Sequence, residues 1–195
     1  MGRHAPGQSS KLIGDRMMQS GRLEGERGVG PMIPELVSCF ERTVVFMQEL
    51  VADLADEDLV LQPPGVPNHA AWTLGHVIHS CQAMAGELGV EPWLPGDWES
   101  QFGYGSSPTA VVSQYPSKVA LLAALGEASQ RLRTALLGTD QAALGEPLPD
   151  EHVREMFPTK GHALLQVVAA HTAYHAGQLA AWRRAIGRPP VGVFV

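Results

Sequence analysis

Only two cysteines, Cys39 and Cys81, occur among the 195 residues, too few for a disulfide framework. Both fall in stretches with helical periodicity, where they read as small apolar fillers, and such a chain suits a reducing cytoplasm. A basic excess is missing too: 14 Lys and Arg against 20 Asp and Glu give a formal net charge of -6 and a pI near 5.7. Nucleic acid and anionic membrane both favour a basic face, so neither is expected as the main partner. The N-terminus lacks the apolar core of a signal peptide, which fits a cytoplasmic location. Strand-like alternation of useful length is absent, except over residues 191–195.

Charge is absent altogether from residues 163–182, about the length of a membrane span. A transmembrane reading fails on content. Gln166, His171, His175 and Gln178 would have to enter hydrocarbon, and Ala outnumbers Leu, Ile and Phe there.

What is present is helical. Residues 1–30 are rich in Gly, Arg and Ser without a sustained apolar period, and are expected to be a disordered leader ahead of one domain over residues 31–195. Pro34 opens a first helix to about residue 54, with Leu36, Val37, Phe40, Val44, Met47, Leu50, Val51 and Leu54 at spacings of three and four. After Pro63, Pro64, Gly65 and Pro67, Asn68 caps a second helix over about residues 69–88. Its main apolar stripe is Ala70, Leu74, Val77, Cys81, Met84 and Leu88. Trp72, His76, His79 and Ala83 follow a separate row, so periodicity alone does not turn His76 toward the core.

Residues 89–116 then change to Gly, Pro and aromatics, including Trp93, Trp98, Phe102 and Tyr104. A loop of that length is either functional, as a lid, or a surface crossover anchored by its aromatics. It is long enough to run back along a helix, so the helices it joins are expected to be parallel. Ser117 caps a third helix ending near Gly138, and the last helix runs over about residues 161–186 with Arg183 and Arg184 in its final turns. Four long helices imply a bundle.

The chemistry concentrates in His171-Thr172-Ala173-Tyr174-His175-Ala176-Gly177-Gln178. Imidazoles four apart share a helix face and can reach one ion. Leu164, Val167, Val168, Leu179 and Trp182 surround them at helical spacing, and Gln178 lies within about 20° of His171 at roughly 100° per residue. Buried imidazole nitrogens without partners cost about 1–3 kcal/mol each, a cost that a bound cation removes. The alternative for an isolated HxxxH is a pair of histidines bonded to backbone and water.

His171-Thr-Ala-Tyr-His175-Ala-Gly-Gln178-Leu, running into Arg183-Arg184 and Gly187-Arg188-Pro189, resembles the last-helix motif of the DinB/YfiT-like superfamily of metal-dependent helical bundles. Asn68-His-Ala-Ala-Trp72-Thr-Leu-Gly-His76 resembles its second-helix motif. The resemblance covers about residue 31 to the C-terminus. It implies an all-α four-helix bundle of up-down-down-up order, with the long crossover between helices 2 and 3. It also implies a divalent ion, zinc or nickel, on His76, His171 and His175. His79, one turn on from His76, would be the ligand instead if the second-helix match were displaced by a turn. Gln178 and Tyr174 are candidates to support the ligands, and Trp98 and Tyr104 to line the pocket mouth.

Three neutral imidazoles leave a coordination position open, the arrangement of a catalytic rather than a closed site. Some members of the superfamily use low-molecular-weight thiols, so the resemblance implies a transferase or hydrolase acting on a small-molecule substrate, in the first place an S-transferase with a bacillithiol- or mycothiol-like thiol. A homodimer would suit the family. The competing expectations are a metal-binding stress-response bundle without catalysis, and a helical interaction module with core histidines and no metal.

Overall fold

Helical periodicity becomes helix in the computed structural model, which describes residues 32–192. The leader expected over residues 1–30 lies outside that range, as do three residues of the 191–195 stretch. No strand occurs among the described residues. Helix α1 spans Ile33–Glu49 with Pro34 in its first turn, and buries Val37, Phe40, Val44 and Met47. It stops short of the expected residue 54. Leu50, Val51 and Leu54 are buried all the same, because the chain leaves the helix as a tightly packed turn that keeps the apolar pattern without the helical one.

Helix α2 is Ala70–Glu87. Its cap is His69 rather than Asn68: the His69 Nδ1 accepts from the Trp72 backbone N–H at 3.3 Å. The ring's other nitrogen lies 2.9 Å from the Thr109 carbonyl, so this fully buried histidine is satisfied at both ends. The crossover is partly helical, with α3 at Trp98–Phe102 and a 3₁₀ turn at Val112–Gln114. Gln82 of α2 fastens its start, accepting from the backbone of Trp93 at 2.8 Å and Leu94 at 2.7 Å. Trp98 and Phe102 are buried against the core, which is why α2 has almost no exposed face over its first half. Cys81 is buried there, as expected of a filler, and its thiol is pushed up to about 12 by burial; Cys39, also expected to be a filler, is exposed.

Helix α4, Lys118–Gly138, starts at the expected Ser117 cap. Two short helices, α5 (Gln141–Leu144) and α6 (Glu151–Met156), punctuate the segment that follows. The last helical run comprises α7 (Lys160–Leu165), a π-helical turn (Gln166–His171) and α8 (Thr172–Ala185).

Helix α4 packs on α1 and α2, and α8 packs on the same two. The Lys118 backbone N–H donates to Asp56 at 2.7 Å, so α4 begins beside the chain leaving α1. The ends of α2 and α4 meet at Leu88 and Gly138 around one open groove, and the end of α8 reaches the end of α1 through Arg183 and the Leu50 carbonyl at 2.9 Å. No helix among the described residues is long and apolar enough to cross a membrane.

Candidate metal centre

His171 and His175 are brought to the bundle interior by a break in regular helix. The Thr172 N–H bonds to the Val167 carbonyl, five residues back, and the Thr172 hydroxyl donates to the same oxygen at 2.8 Å. The widened turn carries fewer degrees per residue than α-helix. Leu164, Val168 and Thr172 therefore stay in line at successive spacings of four, and the buried row continues through His175, Ala176, Leu179 and Trp182. Val167, which regular 3.6 spacing puts in the same stripe, is only half-buried. π turns inside α-helices recur at functional sites.

His76 approaches from α2. Its Nε2 stands 3.0 Å from the His171 Nε2, and the His175 Nε2 stands 3.1 Å from the same atom. One ligand atom from each ring lies within 4.8 Å of the others, the only such cluster of three among the described residues. Nitrogens held at about 2.0–2.1 Å by one tetrahedral zinc are roughly 3.4 Å apart. The two separations from the His171 Nε2 are a few tenths of an ångström shorter than that.

The protonation states suit ligation. The His76 Nδ1 is 2.6 Å from the Phe102 carbonyl oxygen, which can only accept, so Nδ1 carries the proton and Nε2 offers its lone pair. Burial holds the pKa of all three rings below the ordinary histidine value. His171 falls to about 4, with the His76 ring adding to the effect of burial, and His175 to about 3, with His171 and His76 adding. His76 is lowered by burial, opposed by its bond to Phe102 and then lowered a little by His79. At pH 7 the three rings are neutral.

Without a cation the cluster is poorly satisfied. The His76 Nε2 is an acceptor, and a single N–H on His171 cannot serve both of its neighbours fully. The Nδ1 atoms of His171 and His175 and the Oε1 of Gln178 are buried without hydrogen-bond partners. A divalent ion fits this set: it would take three lone pairs through Nε2 and leave Nδ1 of each α8-side ring as a donor. Gln178 lies one turn beyond His175, and its amide already pulls weakly against the depression of the His175 pKa. It is the acceptor to hand.

The other expected residues separate. His79 turns away from the cluster and pairs with the exposed Glu99 at 2.7 Å. Tyr174 is 63% exposed, with its ring edge-on to His175. Trp98 is buried and packs on Phe102, whereas Tyr104 is fully exposed. Trp72 is the residue that sequence reasoning passed over. Its indole lies nearly parallel to the His76 ring, 4.7 Å between centroids and 8° between planes, and its Nε1 donates to the Ser106 hydroxyl at 3.0 Å. The signal was available, since Trp72 and His76 stand four apart on one helix row.

The described residues form an all-α bundle in which three histidines converge on one point, a donor set that could hold a metal ion. The model of the DinB superfamily matches residues 40–179, which is 140 of the 195 residues, and the chain belongs to that superfamily. No curated protein matches it in sequence. Among solved structures, that of a conserved protein from Enterococcus faecalis is similar with a TM-score of 0.67 and 17% identity, covering 82% of this chain and 100% of that one. At that identity the likeness speaks for the fold alone.

Proposed function

We propose that this protein is a divalent-metal-dependent enzyme in which His76, His171 and His175 hold zinc or nickel, and that it joins a low-molecular-weight thiol to a small electrophile. The observation that carries the reading is the convergence of three neutral Nε2 atoms, which makes three protein ligands and leaves a position for an exogenous group. A bound divalent ion would lower the pKa of a thiol or water in that position toward neutrality.

The protein's own groups hold the ligands still. Phe102 and Trp72 fix the tautomer and plane of His76, Gln178 would accept from the His175 Nδ1 once the ion takes Nε2, and burial keeps protons off all three rings. Net transfer forms a carbon–sulfur bond. With an alkyl halide the halide departs with its electron pair and the thiol proton goes to solvent. With an epoxide or a maleate the electron pair of the broken C–O or C=C π bond stays on the ring oxygen or the neighbouring carbon, which takes up a proton. The choice of a thiol over water draws on the superfamily resemblance.

The test is thiol consumption by zinc- or nickel-loaded protein across a panel of alkyl halides, epoxides and maleates, each with several cellular thiols. Turnover that disappears with His171→Ala is the expected result. If fully loaded protein consumes no thiol with any electrophile yet hydrolyses an ester or amide panel, water is the nucleophile and the transferase reading falls.

A further inference from the structure

We propose that Gly75 and Phe102 are positioning residues for the metal site: Gly75 lets the crossover segment lie directly on α2, and the Phe102 carbonyl so placed fixes His76 in its ligand tautomer. The proposal rests on the reading of the three histidines as a metal site.

Gly75 immediately precedes His76, and a Cβ at that position would overlap the ring of Phe102. Glycine is required here by space and not by backbone conformation, because Gly75 is not among the glycines with positive φ. The Phe102 ring is completely buried, so the apolar anchor and the carbonyl that meets His76 belong to one residue. Ring and carbonyl cannot be displaced separately.

Neighbouring contacts hold the same segment. The Gly103 N–H bonds to the Glu99 carbonyl at 2.8 Å, closing α3, and Ser106 accepts from Trp72. Glu99 reaches back to His79, one turn beyond His76. Residues 99–106 thus touch α2 at Trp72, Gly75, His76 and His79, all on one face.

A carbonyl on Nδ1 does two things for a ligand at Nε2: it selects the tautomer and it aims the ring. Removing such a partner typically costs 10–100-fold in metal affinity. The coupling is reciprocal, so whatever affinity docking confers on the ion, the ion confers on docking.

The experiment combines zinc affinity, measured by chelator competition on the full chain, with ¹⁵N spectra of the histidine rings in metal-free protein. It compares the wild type with Gly75→Ala, Phe102→Ala and the double variant. In the double variant the new methyl no longer meets a phenyl ring, so stability should recover relative to Gly75→Ala while zinc affinity stays about 10–100-fold below wild type. Wild-type His76 should show the Nδ1–H form, and all three variants a mixture.

Folded variants with wild-type zinc affinity, or a wild-type His76 protonated at Nε2, would overturn the proposal. A wild type that binds no zinc, but whose His76 loses the Nδ1–H form on Gly75→Ala, would sink the metal reading while upholding the positioning role.

Discussion

His76 and His171 are separated by 95 positions in the chain, yet their Nε2 atoms stand 3.0 Å apart. One comes from α2 and the other from the π turn ahead of α8, so the site is assembled by the tertiary fold and stores the cost of crowding neutral imidazoles. That cost can be read out by pH. In metal-free protein, burial lowers the folded pKa of His171 to about 4 and of His175 to about 3, whereas unfolded histidines titrate near 6.5. The unfolded state therefore binds more protons between those limits, and stability should be full above about pH 6.5 and fall progressively toward pH 3. Urea midpoints of metal-free protein at pH 7.5, 6 and 5 check this. For His171→Gln the loss over the same range should be smaller.

Adding the ion should reverse that penalty. At a free concentration a hundredfold above its Kd, a ligand that binds only the folded state stabilises it by about 2.7 kcal/mol. For a domain of this size that is a rise in Tm of roughly 5–10 °C. Differential scanning calorimetry with zinc, then with excess chelator, should show the rise and its loss. His171→Ala should show neither.

Gln178 offers a narrower test. Its Oε1 is buried without a partner beside the equally unpartnered Nδ1 of His175. Gln178→Leu keeps the volume and removes the acceptor, so zinc affinity should fall about tenfold or more while stability of the metal-free protein changes by less than about 1.5 kcal/mol. A variant with unchanged affinity would show that His175 Nδ1 finds another acceptor.

Far from the site, Arg183 closes the end of the bundle. It is only 1% exposed and donates to both carboxylate oxygens of Asp53, at 2.6 and 2.9 Å, and to the carbonyls of Leu50 and Pro189. The guanidinium holds the Asp53 pKa down to about 2. A depressed carboxylate contributes stability that is present above its unfolded value near 3.9 and is lost as pH falls toward 2. Arg183→Met should destabilise the protein, since it removes the donor to Asp53 and to the carbonyls of Leu50 and Pro189, and should flatten the acid limb below pH 4. Denaturant titrations of both proteins at pH 7 and pH 3 decide it.

The sequence was a good guide where chemistry is local. HxxxH, the Ser117 cap and the 3.6-residue row of α1 depend on neighbours a turn apart, and each appears in the structure. It was a poor guide where the answer depends on contact at a distance. Arg183 reads as a cation suited to a helix C-terminus, and nothing near it in the chain names Asp53. His76 lies off the main stripe of α2, and only the crossover and the last helix, both remote in sequence, cover that side. A 3.6-residue template has no place for the extra residue of a π turn, and Val167, which that template puts in the buried stripe, is half-buried at the edge of the core. His69 took the capping role from Asn68 because its ring could also bond to Thr109, 40 residues on.

The most direct test of the three-histidine account is metal content by elemental mass spectrometry on protein reconstituted with zinc or nickel. Wild type would be compared with His76→Ala, His79→Ala and His171→Ala. The account predicts close to one ion per chain in wild type and in His79→Ala, since His79 is engaged with Glu99, and its loss in the other two. Retention of the ion in His76→Ala with its loss in His79→Ala would contradict it, as would a wild type that takes up no metal.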